Sequence, residues 1–184
     1  MTAKMTANPF RLDGQVALIT GAGTGLGLGM ARCFLSAGAR VVIAGRREAV
    51  LREAAAELGE GACYEVLDVT DTAAAPQVVD RVQQRVGPIT CLINNAGIHL
   101  KKPALQTQDH EFEAVLRTHL TGSLALTRAV APGMIQRRQG AILFIASMTT
   151  FLAIPQVVAY ATAKSGVAGL VRTLAAELSP HGLR

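Results

Sequence analysis

Tryptophan is absent from this chain, tyrosine occurs twice and phenylalanine five times, leaving aromatics at 4% of 184 residues. Proteins that hold RNA or single strands stack bases on aromatic side chains, and so few rings make no such platform. Charge is scarce as well, at 17%, and the net +5 comes mostly from arginines spread along the chain. The densest basic pairs, Arg46-Arg47, Lys101-Lys102 and Arg137-Arg138, fall short of the basic stripe a duplex requires, so nucleic acid is not an expected partner. Cysteine is limited to Cys33, Cys63 and Cys91, an odd number without C-x-x-C spacing. That pattern argues against a disulfide framework, gives no reason to expect a metal and suits a reducing, cytoplasmic setting. No apolar run approaches the ~20 residues that span a bilayer. Residues 1–8 are polar ahead of Pro9, so no signal peptide or anchor is expected and residues 1–9 read as a flexible tail.

What the sequence does have is apolar content. Hydrophobic residues make up 50% and mean hydropathy is +0.33, too apolar and too weakly charged for disorder. The length predicts one domain. Residues 16–20 form a short apolar, β-branched run, followed by glycines and a helical pattern through Met30, Cys33 and Phe34: a strand, a tight turn and a helix. The unit recurs. Strands are expected at 40–44, 63–67, 89–94 and 141–146, and helices at 48–58, 71–86, 109–137 and 158–178, the last stopped by Pro180. This alternation predicts an α/β fold, a Rossmann-like doubly wound parallel sheet in a single domain over residues 10–184. Residues 179–184 read as a connection towards another strand, which predicts a C-terminally truncated molecule with strand 141–146 at an unprotected sheet edge.

Three constellations carry chemistry. The first is the turn TGAGTGLG at 20–27, in which Gly21, Gly25 and Gly27 follow a G-x-x-x-G-x-G spacing rather than G-x-G-x-x-G. Glycines there let backbone approach a pyrophosphate, which the N–H groups of the following helix favour; a plain strand-to-helix turn is the alternative. About 20 residues further on, where an acid would bind the ribose hydroxyls of NAD, the chain has Gly45 followed by Arg46 and Arg47. Two guanidiniums suit the 2′-phosphate of NADP, although a solvated basic helix start has the same sequence. Asp68 fits either an adenine-contacting loop or a helix cap. Last, Tyr160 and Lys164 stand four apart, so the phenol and the ammonium share a helix face, where the charge would lower the tyrosine pKa. Ser147 supplies a hydroxyl at the end of the fifth strand, beyond the carboxyl edge where parallel sheets place their sites.

TGAGTGLG, the Asn94-Asn95-Ala96-Gly97 turn, Ser147 and Tyr160-x-x-x-Lys164 together resemble the short-chain dehydrogenase/reductase family, in order and spacing, over residues 10–184. FRLDGQVALITG at 10–21, TGLGLGMA at 24–31 and IASM at 145–148 are similar to its gluconate and ketodeoxygluconate dehydrogenase branch. The resemblance implies an NADP-dependent oxidoreductase, with NAD as an alternative, that interconverts a secondary alcohol and a ketone. Tyr160 would exchange a proton with the substrate oxygen, Ser147 would hydrogen-bond that oxygen, and Lys164 would hold the nicotinamide ribose. Gly21, Gly23, Thr24, Gly25, Leu26 and Gly27 would take the pyrophosphate, Asp68 and Val69 the adenine, and Asn94, Ala96 and Gly97 the riboses.

One departure concerns the long helix, where the family usually has an asparagine whose carbonyl holds a water of the proton relay; the matching stretch RTHLTG carries His119. A neutral imidazole can accept a hydrogen bond from that water, or it can simply be packed in the helix face. Relatives pair between subunits through this helix and the one bearing Tyr160, so a homo-oligomer is expected. An apolar stripe of Val167, Leu170, Val171 and Leu174 serves that purpose or core packing equally. The alternative to an enzyme is a cofactor-binding or oligomer-forming truncated fragment without turnover.

Overall fold

Residues 9–184 are described in a computed structural model; the expected N-terminal tail lies outside the described residues but for Pro9. The apolar runs become five strands: β1 (Val16–Thr20), β2 (Arg40–Gly45), β3 (Ala62–Val66), β4 (Cys91–Asn94) and β5 (Ala141–Phe144). All neighbours run parallel, in the order β3-β2-β1-β4-β5. Between them lie α1 (Gly25–Ser36), α2 (Glu48–Leu58), α3 (Ala75–Val86), α4 (Asp109–Leu116) and α5 (Gly122–Arg137), with α6 (Val158–Leu178) after β5.

The three central strands, β2, β1 and β4, are buried on both faces, as the middle of a parallel sheet requires, while β3 and β5 at its edges are partly open. Leu18, Val42 and Leu92 point into one cluster with Val78, Val79 and Val82 of α3 and Leu126, Val130 and Met134 of α5. The alternate residues Ala17, Ile19, Val41, Ile43 and Ile93 pack on the other face with Ala31 of α1 and Leu51 of α2. Burial at 75, 78, 79 and 82 is the i, i+3, i+4, i+7 pattern that makes α3 amphipathic, with Pro76 in its first turn and Gly87, at φ 112°, ending it. A third, small cluster joins Val115 of α4 to Ala159 and Ala163 of α6. The chain order reverses between β1 and β4, which opens a crevice at the carboxyl ends of the strands.

Several expected boundaries shift. The third helix begins at Ala75 rather than 71, because Asp71 instead accepts the Ala74 N–H in a preceding turn. The single helix expected at 109–137 is interrupted: Arg117–Thr121 forms a wide π-turn between α4 and α5. The fifth strand ends at Phe144, and the carbonyl of Ile145 receives a lysine ammonium instead of a ladder partner. Its outer edge is not bare along its length. Ile142 N–H donates to Arg184 O at 2.8 Å and Arg184 N–H to Gly140 O at 3.0 Å, so the last residues add a short parallel pairing. No helix among the described residues is long and apolar enough to cross a membrane.

Candidate active site

The turn after β1 is built by close backbone approach. A Cβ on Gly21, which sits at φ +64°, would lie 2.8 Å from Ala96 Cα, and one on Gly27 would lie 2.7 Å from Ala22 Cα and from Asn95 Nδ2. Asn95 stitches the ends of β1 and β4 together, its Nδ2 donating to Thr20 O at 2.8 Å and Gly21 O at 3.2 Å. Thr20 Oγ1 receives the N–H groups of Asn95 and Ala96, each at 3.0 Å. Helix α1 then starts at Gly25 with Thr24 at its cap, no side-chain cap hydrogen bond and no acid in its first turn. Its first N–H groups and the positive end of its dipole are left to an anion.

A groove of about 460 Å³ opens beside this turn. Gly21, Gly23 and Thr24 form one wall and Arg46 and Arg47 a second, and Asp68, Val69, Ala96 and Gly97 are among the residues that line the remainder. Both arginines are exposed, and neither has an ion-pair partner among the described residues. Asp68 accepts from Thr70 N at 2.9 Å and Thr70 Oγ1 at 2.8 Å. Its partial burial would raise its pKa, but those hydrogen bonds, with Arg46 and Arg117 nearby, hold the carboxyl below its usual range. It therefore caps a tight turn, not a helix, and lines the groove as well. Shape, backbone donors and free guanidiniums fit a phosphorylated dinucleotide.

Other expected cofactor residues stand apart from this groove. Gly25, Leu26 and Gly27 belong to the first turn of α1 rather than the lining, and Leu26 is exposed. Asn94 is buried, with neither Nδ2 nor Oδ1 meeting a hydrogen-bond partner in the protein. Sequence reasoning missed Arg117, whose Nε and Nη2 donate to Thr70 O at 3.2 and 2.9 Å, and Thr118; both line the groove from the π-turn. Their only signal was the arginine two places before His119.

The second constellation gathers beyond β5. Ser147 begins a short 3₁₀ turn, its Oγ accepting from Thr149 N at 3.2 Å and Thr149 Oγ1 at 3.0 Å. Tyr160 lies in the first turn of α6, half-buried, and one turn on Lys164 is 4% exposed with Nζ 5.5 Å from the Tyr160 ring centre. Burial pushes the Lys164 pKa down. Its ammonium donates to Ile145 O at 2.5 Å, and Thr150 Oγ1 donates to Lys164 O at 3.3 Å, so the start of α6 is pinned to the segment bearing Ser147.

Two imidazoles face the same phenol. His99 meets the Tyr160 ring edge to face at 4.8 Å and His119 at 5.5 Å. His119 is buried in the π-turn, and burial pushes its pKa below the usual histidine range. Its Nε2 sits against the Ile98 backbone, 2.8 Å from the carbonyl oxygen and 3.3 Å from the N–H. The ring also fills the space over Gly97, where a Cβ would be 2.4 Å from His119 Cε1.

A family model described as short chain dehydrogenase matches residues 15–184. Galactitol 2-dehydrogenase (L-tagatose-forming) of Cereibacter sphaeroides is 38% identical over 182 residues, covering 95% of this chain and 70% of its own. D-threitol dehydrogenase of Mycolicibacterium smegmatis is 35% identical over 182 residues, with 95% and 68% covered. Among solved structures, a gluconate 5-dehydrogenase from Burkholderia cenocepacia in complex with NADP and tartrate superposes with a TM-score of 0.91 at 37% identity, over 95% of this chain and 70% of that one.

Proposed function

The chain belongs to the short chain dehydrogenase family, an oxidoreductase fold acting on alcohols and ketones, and on that premise we propose that it interconverts a secondary alcohol and a ketone with a preference for NADP(H). The observation that carries the reading is the anchoring of α6: buried Lys164 grips Ile145 O two residues before Ser147 and stands one helical turn from Tyr160. Tyr160 is the acid/base, exchanging a proton with the substrate oxygen, and Ser147 hydrogen-bonds that oxygen as charge develops on it. NADP, when bound, supplies the hydride acceptor or donor. Arg46 and Arg47 would hold its 2′-phosphate, the N–H groups at the start of α1 beside Thr24 its pyrophosphate, and the loop at Asp68 and Val69 its adenine. Gly97 and Ala96, which line the same groove, would lie against its ribose.

The relatives support a polyhydroxylated substrate, a polyol or a sugar acid, for this chain. A homo-oligomer built on α4, α5 and α6 is part of the same proposal. The test is a fluorescence titration with NADPH and NADH, followed by oxidation of galactitol, threitol and gluconate with NADP. At least tenfold tighter binding of NADPH, a gap of ~1.4 kcal/mol, with turnover of one alcohol, is the expected result. NADPH binding without any turnover favours the cofactor-binding fragment instead, and equal binding of NADH removes the phosphate role of the arginines.

A further inference from the structure

Resting on the dinucleotide reading of the groove, we propose that Arg117 binds the adenine base of the cofactor, with the flat face of its guanidinium rather than with its charge. A purine is an aromatic plane, and proteins hold such a base by stacking it on aromatic rings or on guanidinium planes. No aromatic ring lines the groove among the described residues. The planar side chains that do line it are three guanidiniums, those of Arg46, Arg47 and Arg117. The first two stand together directly after β2, and the phosphate reading occupies both. Arg117 enters instead from the π-turn, and the groove lining around it includes Val69, Thr70 and Ala114, none of them charged.

The guanidinium is ordered before any ligand arrives. Its Nε and Nη2 both donate to Thr70 O, at 3.2 and 2.9 Å, which fixes the plane. Thr70 is held in turn, because Asp68 accepts from its N–H at 2.9 Å and from its hydroxyl at 2.8 Å. The same loop packs on the far end of the π-turn, where a Cβ on Gly122 would lie 2.5 Å from Val69 O. Loop and turn therefore make one wall. Arg117 is exposed on it and forms no ion pair among the described residues, so one edge of the group is spent on Thr70 and its faces are left to a ligand. A cation over a ring face is attracted to it, and a side chain already fixed loses little freedom in the contact.

The adenine is common to NADP and NAD. Arg46 and Arg47 would then decide which dinucleotide is preferred, whereas Arg117 sets how tightly either one is held.

Titration of the wild type and of Arg117→Ala, Arg117→Lys and Arg117→Trp with NADPH and with NADH tests this division. Arg117→Ala should weaken both dinucleotides by the same factor, about fivefold or more. Arg117→Lys keeps the charge and a donor for Thr70 O but no plane, and should be as weak as Arg117→Ala. Arg117→Trp keeps a plane and gives up the charge and the Thr70 bond, and should hold both within about twofold of wild type. The opposite ranking, with lysine tight and tryptophan weak, makes Arg117 an anchor for the loop and overturns the proposal. A loss confined to NADPH makes it a third phosphate ligand and does the same. The chain has no tryptophan of its own, so the introduced indole can be followed alone. Its emission should be quenched saturably by 5′-AMP, which carries the base and no nicotinamide. No quenching in a variant that still binds NADPH places the base elsewhere and overturns the proposal without reference to turnover. Unchanged NADPH binding in Arg117→Ala sinks the role of Arg117 and leaves the dehydrogenase reading standing. Quenching by 5′-AMP in a chain that oxidises no alcohol removes that reading instead, and the adenine contact stays.

Discussion

All five residues of β1 are fully buried, whereas none of the four in β5 is, and Leu143 of β5 is 42% exposed. The turn that leaves β1 is fixed by backbone against backbone, with no room for a Cβ at Gly21 or Gly27. The segment that leaves β5 is fixed by polar side chains reaching carbonyls and hydroxyls: Lys164 to Ile145 O, Thr150 to Lys164 O, Thr149 to Ser147. The first end is thus held by steric fit together with the Asn95 and Thr20 hydrogen bonds, and the second by hydrogen bonds without such close packing. Steric changes should break the first mainly as stability, and polar changes the second mainly as rate.

The largest effect expected from that division is at the catalytic end. Tyr160→Phe should lower kcat/KM by about 10²- to 10⁴-fold while NADPH affinity, followed by nicotinamide fluorescence, stays within about twofold; normal turnover would remove Tyr160 from the chemistry. At the steric end, Gly27→Ala places a methyl 2.7 Å from Ala22 Cα and Gly21 O and should cost roughly 1–3 kcal/mol, a melting point several degrees lower. Gly29→Ala, in the same helix with nothing within 4 Å of the added Cβ, should stabilise by roughly 0.5–1 kcal/mol. Equal melting points for the two would deny that close approach governs this turn. Replacing Arg46 and Arg47 together by alanine should weaken NADPH about tenfold or more, ~1.4 kcal/mol, and leave NADH as it was.

The smallest effect is a pH dependence of stability. Burial lowers the folded pKa of His119 below its ordinary 6.5. The unfolded chain therefore takes up a proton near 6.5 that the folded chain resists, so the stability present above 6.5 is lost as pH falls towards the lower folded value. His119→Gln should flatten the decline of the melting point between pH 7 and 5; an unchanged slope would place the acid sensitivity elsewhere.

The sequence makes the strands legible because buried parallel strands are continuous apolar runs, as at 16–20 and 40–44. It also makes the glycine turn and the basic pair at 46 and 47 legible, since both follow strand ends directly, and the structure sets them on one groove. The part of the groove that the π-turn supplies is not legible. Arg117 reaches Thr70 across 47 residues of sequence, and no local pattern marks a contact of that span. His99 escapes notice for the same reason, because its neighbour Tyr160 is far along the chain. Asn94 and Asn95 look alike as letters, yet Asn94 ends β4 with its amide buried while Asn95, just beyond the strand, reaches the glycine turn. The shortened fifth strand follows from Lys164 claiming Ile145 O, an interaction that apolar periodicity does not encode.

The wide turn at Arg117–Thr121 has a consequence for insertion and deletion. One residue advances a regular helix by ~100°, so an extra residue wound regularly, rather than in this wide turn, would set the two halves of one continuous rod out of phase. The half before it turns Val115 towards Ala159 and Ala163 of α6, and the half after it turns Leu126, Val130 and Met134 towards the sheet. A single helix thereby serves two neighbours. At the wider winding these five residues cover about the rotation that four cover in a regular helix, so removing one would restore regular winding and leave α5 against the sheet. The turn therefore holds one residue more than a regular helix would, without changing which way its two halves face.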